Sequence, residues 1–208
     1  IDFVILLGNV LDIGTPSDGT VTNAKLAQDI ISGETELAAI PDTTDEFLIS
    51  NAGVLNRIDA QFFQNTPAFM AVMGTDDTLS TGAFTKATFD TEVFDTDSAF
   101  ASDKFTVPSG GAGKYVLHGH IYLHTIDDGN QVEARIYKNG SNAGSASVGS
   151  ATIRWYSVGT DKTMDFGWTW IGTLAESDYI ELYVMQGNGD DQTLYRQTWL
   201  AGFKLIGV

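Results

Sequence analysis

The sequence predicts an all-β fold, a small antiparallel sandwich, and three observations carry that prediction. Alternating apolar runs recur at short spacing from about residue 66 to the end of the chain. Turn-forming clusters separate them: Ser109-Gly110-Gly111, Asp127-Asp128-Gly129-Asn130, Lys138-Asn139-Gly140 and Gly187-Asn188-Gly189-Asp190. No helix of useful length fits this part of the chain.

Composition bounds the remaining choices. The 208 residues are 43% hydrophobic and 18% charged, a globular balance rather than a disordered one. The formal net charge of −16 repels nucleic-acid phosphate and anionic lipid, so neither is expected as a partner. There is no cysteine, which excludes a disulfide framework, a thiolate zinc site and a cysteine nucleophile. No apolar run reaches the ~18 residues of a membrane span, so no membrane insertion is expected.

Residues 1–65 have a different texture and read as an irregular attachment or neck region. Two apolar bursts in IDFVILLGNVLDIG precede a turn at Pro16–Gly19. Thr22 or Asn23 can cap a short helix over AKLAQDIIS that stops at Gly33. A helix that short needs a partner, either another domain or copies of itself. DEFLISNAGVLNRIDAQFF then predicts a hairpin around Asn51-Ala52-Gly53.

The head, residues 66–208, is expected to contain strands at AFMAVMG, TKATFD, KFTVP, GKYVLHGHIYLHT, NQVEARIYKNG, TMDFGWTWIGTL, DYIELYVMQ and TWLAGFKLIGV. Period-two alternation assigns faces. In the long strand after the Pro-Gly turn, Tyr115, Leu117, Gly119, Ile121 and Leu123 share one face; Val116, His118, His120, Tyr122 and His124 share the other. Phe166, Trp168, Trp170 and Leu174 share a core face. Second faces this apolar suggest a sheet covered twice, once by its own core and once by another subunit.

The order FDTDSAF…KFTVPSGGAGKYVLHGHIYL…GTLAESDYIELYV…TWLAGFKLIGV resembles the globular head shared by the complement first component and tumour necrosis factor families. The positions that carry the resemblance are Phe105, Val107, Pro108, Gly113, Tyr115, Leu174, Asp178, Ile180, Trp199, Gly202 and Phe203. It implies a ten-strand jelly roll that assembles as a homotrimer, with an inner sheet facing the three-fold axis. By position it places Val116, His118, His120, Thr169, Ile171, Leu200 and Gly202 at the trimer interface. SDGTVTNAKLAQDIISG resembles the segment before receptor-binding heads in bacteriophage tail and capsid fibres, through Asp18-Gly19-Thr20-Val21, Asn23 and Lys25-Leu26.

Candidate sites follow. His118 and His120 lie on one face about 7 Å apart, from a rise of ~3.3 Å per residue. Three copies around an axis would supply six imidazole nitrogens, a donor set for a transition metal. Fibres of the resembled class hold axial metals through such His-x-His pairs. The other reading is interface histidines bonded to their neighbours. Asp127-Asp128 and Asp190-Asp191 offer loop oxygens for Ca²⁺, or are simply solvated turns. Trp155 and Tyr156 are either loop aromatics that bind a ligand or part of a strand with Trp155 in the core. No Gly-x-Ser-x-Gly elbow or phosphate-binding loop occurs, and paired carboxylates carry no weight in so acidic a chain. The expected function is non-enzymatic. The chain reads as a virion structural protein, a trimeric tail or capsid fibre on the particle exterior. Its head would bind a host-surface glycan or protein, and residues 1–65 would tie it to other virion proteins. The alternative is a secreted or cell-surface bacterial binding module with the same head.

Overall fold

The computed structural model describes residues 31–42, 44–143 and 152–206. The helix expected over Ala24–Ser32 lies outside them except for its last two residues, which form a turn. The chain divides into compact units 1–42 and 43–208. The hairpin falls within the second of these units, ahead of the expected boundary at residue 65. In the first unit a turn closes with the Glu34 N–H donating to the Ile31 carbonyl at 3.2 Å.

The second unit opens with β1 (Glu46–Asn51) and β2 (Val54–Asp59), paired antiparallel as their own two-stranded sheet. Ala52 (φ 51°) and Gly53 (φ 86°) between them are both left-handed, the geometry of a two-residue hairpin turn. A 3₁₀ turn, Ala60–Phe63, leads into the sandwich.

The sandwich strands are β3 (Ala68–Val72), β4 (Asp77–Leu79), β5 (Thr85–Lys86), β6 (Thr91–Asp95), β7 (Phe100–Ala101) and β8 (Lys104–Thr106). Then come β9 (Gly113–Ile126), β10 (Gln131–Lys138), β11 (Ser141–Asn142) and β12 (Thr152–Tyr156). The last are β13 (Lys162–Leu174), β14 (Tyr179–Gln186), β15 (Gln192–Leu194) and β16 (Trp199–Lys204). One sheet runs β6-β3-β16-β9 with β13 on the far side of β9; the other runs β7-β8-β14-β10 with β12 on β10. From β8 to β10 and from β12 to β15 the chain crosses between the two sheets, and the first and last long strands, β3 and β16, lie side by side. That is an antiparallel jelly roll.

The core lies between the sheets. Phe69 stacks on Phe105 across it at 4.5 Å between ring centroids, and Tyr115 joins Phe105 at 5.6 Å. Tyr115 is fully buried and donates its hydroxyl to the Gly111 carbonyl at 2.6 Å. Burial pushes its hydroxyl pKa well up, and the charge of Asp97 adds to the shift. The two core tryptophans each lie over a glycine. The Trp168 ring covers Gly119 on the neighbouring strand, and the Trp170 ring covers Gly172 on its own.

Candidate functional site

The outer face of the sheet containing β9 is built by alternation. Tyr115, Leu117, Ile121 and Leu123 are buried toward the core, so Val116, His118, His120, Tyr122 and His124 point away from it. On β13 the burial of Phe166, Trp168 and Trp170 sends Asp165, Thr169 and Ile171 outward, and Ile171 is 58% exposed. Both assignments agree with the alternation read from the sequence.

On β16 the register reverses the expected assignment. Leu200 pairs with Gly119 and Gly202 with Leu117, so both share the core face and both are buried. They are not interface residues. A Cβ on Gly202 would stand 2.6 Å from Leu117 Cδ2, which shows how tightly the core closes there. The outward residues of β16 are Trp199, Ala201 and Phe203, opposite His120, His118 and Val116. Phe203 is 39% exposed. Met70 on β3 and Phe94 on β6 extend the face.

The histidines are engaged within the chain. His118 Nδ1 lies 2.8 Å from Thr169 Oγ1, and its ring packs on Trp199 at 5.1 Å. His120 Nδ1 meets the Gln197 carbonyl at 3.0 Å, and its Nε2 meets Asp165 Oδ1 at 2.6 Å. Both ring nitrogens of His120 are thus within hydrogen-bond distance of oxygen atoms of this chain. His124 Nδ1 meets Thr163 Oγ1 at 2.9 Å. Tyr122 and Tyr195 fill the spaces between these rings, each in edge contact with His124 at 4.8 Å. Among the described residues no three His, Asp or Glu side chains come together as a metal site.

The acidic turns serve as hydrogen-bond acceptors. Asp128 accepts the Gly159 N–H at 2.6 Å, and Asp190 accepts Gln192 Nε2 at 2.9 Å. Asn188 ties the two turns together by accepting the Asp127 N–H at 2.7 Å.

Trp155 and Tyr156 lie on β12, which hydrogen-bonds to β10, so they are strand residues and not loop residues. The Trp155 ring stacks on Phe166 at 5.8 Å and closes one end of the core while staying 51% exposed. Their neighbour Arg154 reaches Glu133, a fully buried carboxylate that Arg135 also grips. The Arg154 guanidinium pKa is raised, first by its hydrogen bond to Glu133.

A second feature was not legible in the sequence. A cleft of about 460 Å³ opens between the 3₁₀ turn, the Pro108–Gly113 turn and the end of β16. Gln61, Phe62, Gln64, Asp97 and Lys204 line it together with the bare backbone of Gly110–Gly113. These segments are far apart in sequence, and no local motif marks them.

No protein-family model matches the chain, and no curated protein sequence does. Among solved structures it is similar to the globular domain of a zebrafish complement 1qA protein. Identity there is 16%, with a TM-score of 0.48 over 67% of this chain and 98% of that one. It is also similar to murine APRIL crystallised at pH 5.0. There the identity is 15%, with a TM-score of 0.48 over 66% of this chain and 98% of the other. The class this chain defines by its own strand order and register is an all-β jelly-roll sandwich with an apolar, aromatic outer sheet face.

Proposed function

We propose that the chain is the subunit of a homotrimeric binding head, carried on an attachment fibre on the exterior of a virion. The subunits meet through the outer face of the β9-β13-β16 sheet. The observation that carries this reading is the make-up of that face. Val116, Ile171, Trp199, Ala201 and Phe203 lie together with the imidazoles of His118 and His120, and the carboxylate among them, Asp165, is bonded to His120. Aromatic enrichment of this kind is a mark of subunit interfaces. The resemblance of residues 17–33 to fibre segments supports the virion placement, with the N-terminal region as the attachment end. The head holds its partner by avidity, three modest sites acting together, rather than by catalysis.

The absence of native cysteine makes the test clean. A single thiol is introduced as Ile171→Cys on the proposed interface, and as Val158→Cys on an exposed site away from it. In the native protein the thiol at 171 is expected to resist a maleimide reagent while that at 158 reacts at once. In denaturant both react. Equal native rates would refute the interface.

A further inference from the structure

The head needs a place where its partner binds, and the outer sheet face cannot serve once it is covered by neighbouring subunits. The cleft beside the Pro108–Gly113 turn is a separate, built feature. Its turn is fixed from behind by the Tyr115 hydroxyl on the Gly111 carbonyl, and from within by the Gly111 N–H on the Pro108 carbonyl at 3.0 Å. Gly110 has a left-handed φ of 74°, and a Cβ on Gly111 would lie 2.9 Å from the Pro108 oxygen. Glycine at both positions therefore brings naked backbone to the cleft wall.

The side chains facing this wall are chemically mixed. Phe62, 59% exposed, gives an apolar surface with no core function. Gln61 and Gln64 bring carboxamides, each both donor and acceptor. Asp97 brings a carboxylate. Lys204 brings an ammonium whose recorded contact is the Gly110 carbonyl at 3.5 Å, the long limit of a hydrogen bond. Among the described residues no carboxylate is paired with it.

We propose that this cleft is the ligand site of the head and that it takes a neutral saccharide. The proposal rests on the reading of the chain as a binding head. One positive and one negative group in the same cleft balance, so neither an anion nor a cation is selected. Closely spaced donors and acceptors of both kinds, set beside an apolar ring, match a pyranose. Its C–H face lies on Phe62. Its hydroxyls reach Gln61, Gln64, Asp97, the Lys204 ammonium and the turn backbone. The volume lies inside the ~300–1,000 Å³ range of small-ligand sites. The open mouth lets a longer glycan continue into solvent. Three such clefts per trimer give the avidity that modest sugar affinities require.

The test is an amide NMR titration of the full chain with glucose, galactose, N-acetylglucosamine, N-acetylgalactosamine and the β-linked disaccharides of each. Saturable shifts in the millimolar range are expected at Gly110, Gly111, Ala112, Gly113 and Lys204 with at least one of them. Phe62→Ala and Gln64→Ala are each expected to weaken binding roughly tenfold, which corresponds to ~1.4 kcal/mol. Trp155→Ala is expected to leave it unchanged. No shift with any sugar overturns the proposal. So do shifts confined to the Trp155–Tyr156 edge, and shifts that persist undiminished in both cleft variants. Solution mass, measured on the same samples, separates the two readings. A trimer without shifts overturns the saccharide cleft alone. A monomer with cleft shifts supports the cleft and overturns the trimeric head.

Discussion

Replacing Gly119 with alanine probes the packing that sets the two faces of the interface sheet. The new Cβ would stand 2.5 Å from Trp168 Cε2 and 2.8 Å from its Nε1, where heavy atoms need ~3.5–4.0 Å. Relief requires the indole to move by about 1 Å. It is buried, and a flat ring cannot bend away. Overpacking of this kind costs ~1–3 kcal/mol. Alanine returns ~0.5–1 kcal/mol by losing less backbone freedom than glycine on folding. The net expectation is a loss of about 1 kcal/mol, or roughly 2–4 °C in melting temperature for a chain this long. Urea unfolding followed by tryptophan fluorescence, at fixed protein concentration, measures it. Trp168→Phe should relieve the clash, because the Trp168 indole N–H has no acceptor among the described residues and little hydrogen bonding is lost with it. The double variant should therefore be less destabilised than the sum of the two singles. A Gly119→Ala protein as stable as the parent, or strictly additive singles, would refute the glycine-notch argument.

Other expectations concern the core, the ion pairs and acid. Leu200→Ala should cost ~2–5 kcal/mol of stability, the range for a buried leucine, and leave the number of subunits unchanged. A change of assembly state without loss of stability would return Leu200 to the interface. Glu133→Ala should cost on the order of 2–3 kcal/mol in denaturant unfolding, below the ~3–5 of a fully enclosed pair because Arg154 can turn to water; no loss would show that the arginines do not depend on it. Burial works against ionisation of Asp178, but hydrogen bonds from Lys138, Asn139 and the Ala175 N–H outweigh it and hold its carboxyl below the ordinary value. Its contribution is therefore complete above the ordinary carboxylate value and is lost as pH falls through the depressed one. Stability measured against pH should fall less steeply at the acid end in Asp178→Asn than in the parent; parallel curves would contradict this.

How much of this could be read from the sequence depended on what distinguished the two faces of each strand. On β9 the alternation was clear, because Tyr115, Leu117, Ile121 and Leu123 repeat every second position and all are buried. On β13 three aromatic residues at the same spacing fixed the core side. On β16 both alternating sets are apolar, and parity alone gave no direction. The pairing of Leu200 with Gly119 decides it, and pairing is a long-range fact. The strand β6, TEVFD, was missed because it is mostly exposed and carries two acidic residues. Trp155 fell between two readings, since it sits on an edge strand and is half covered by Phe166. The cleft was invisible because it exists only where four distant segments converge. The histidines were found, but the bonds that commit His120 to Gln197 and Asp165 come from other strands and loops.

The most direct measurement is the mass of the unmodified chain in solution by multi-angle light scattering, over a range of concentrations. A constant mass of three chains is expected, with Phe203→Asp shifting it toward one. A parent protein that stays at the mass of a single chain at every concentration would contradict the buried outer face, and with it the trimeric head.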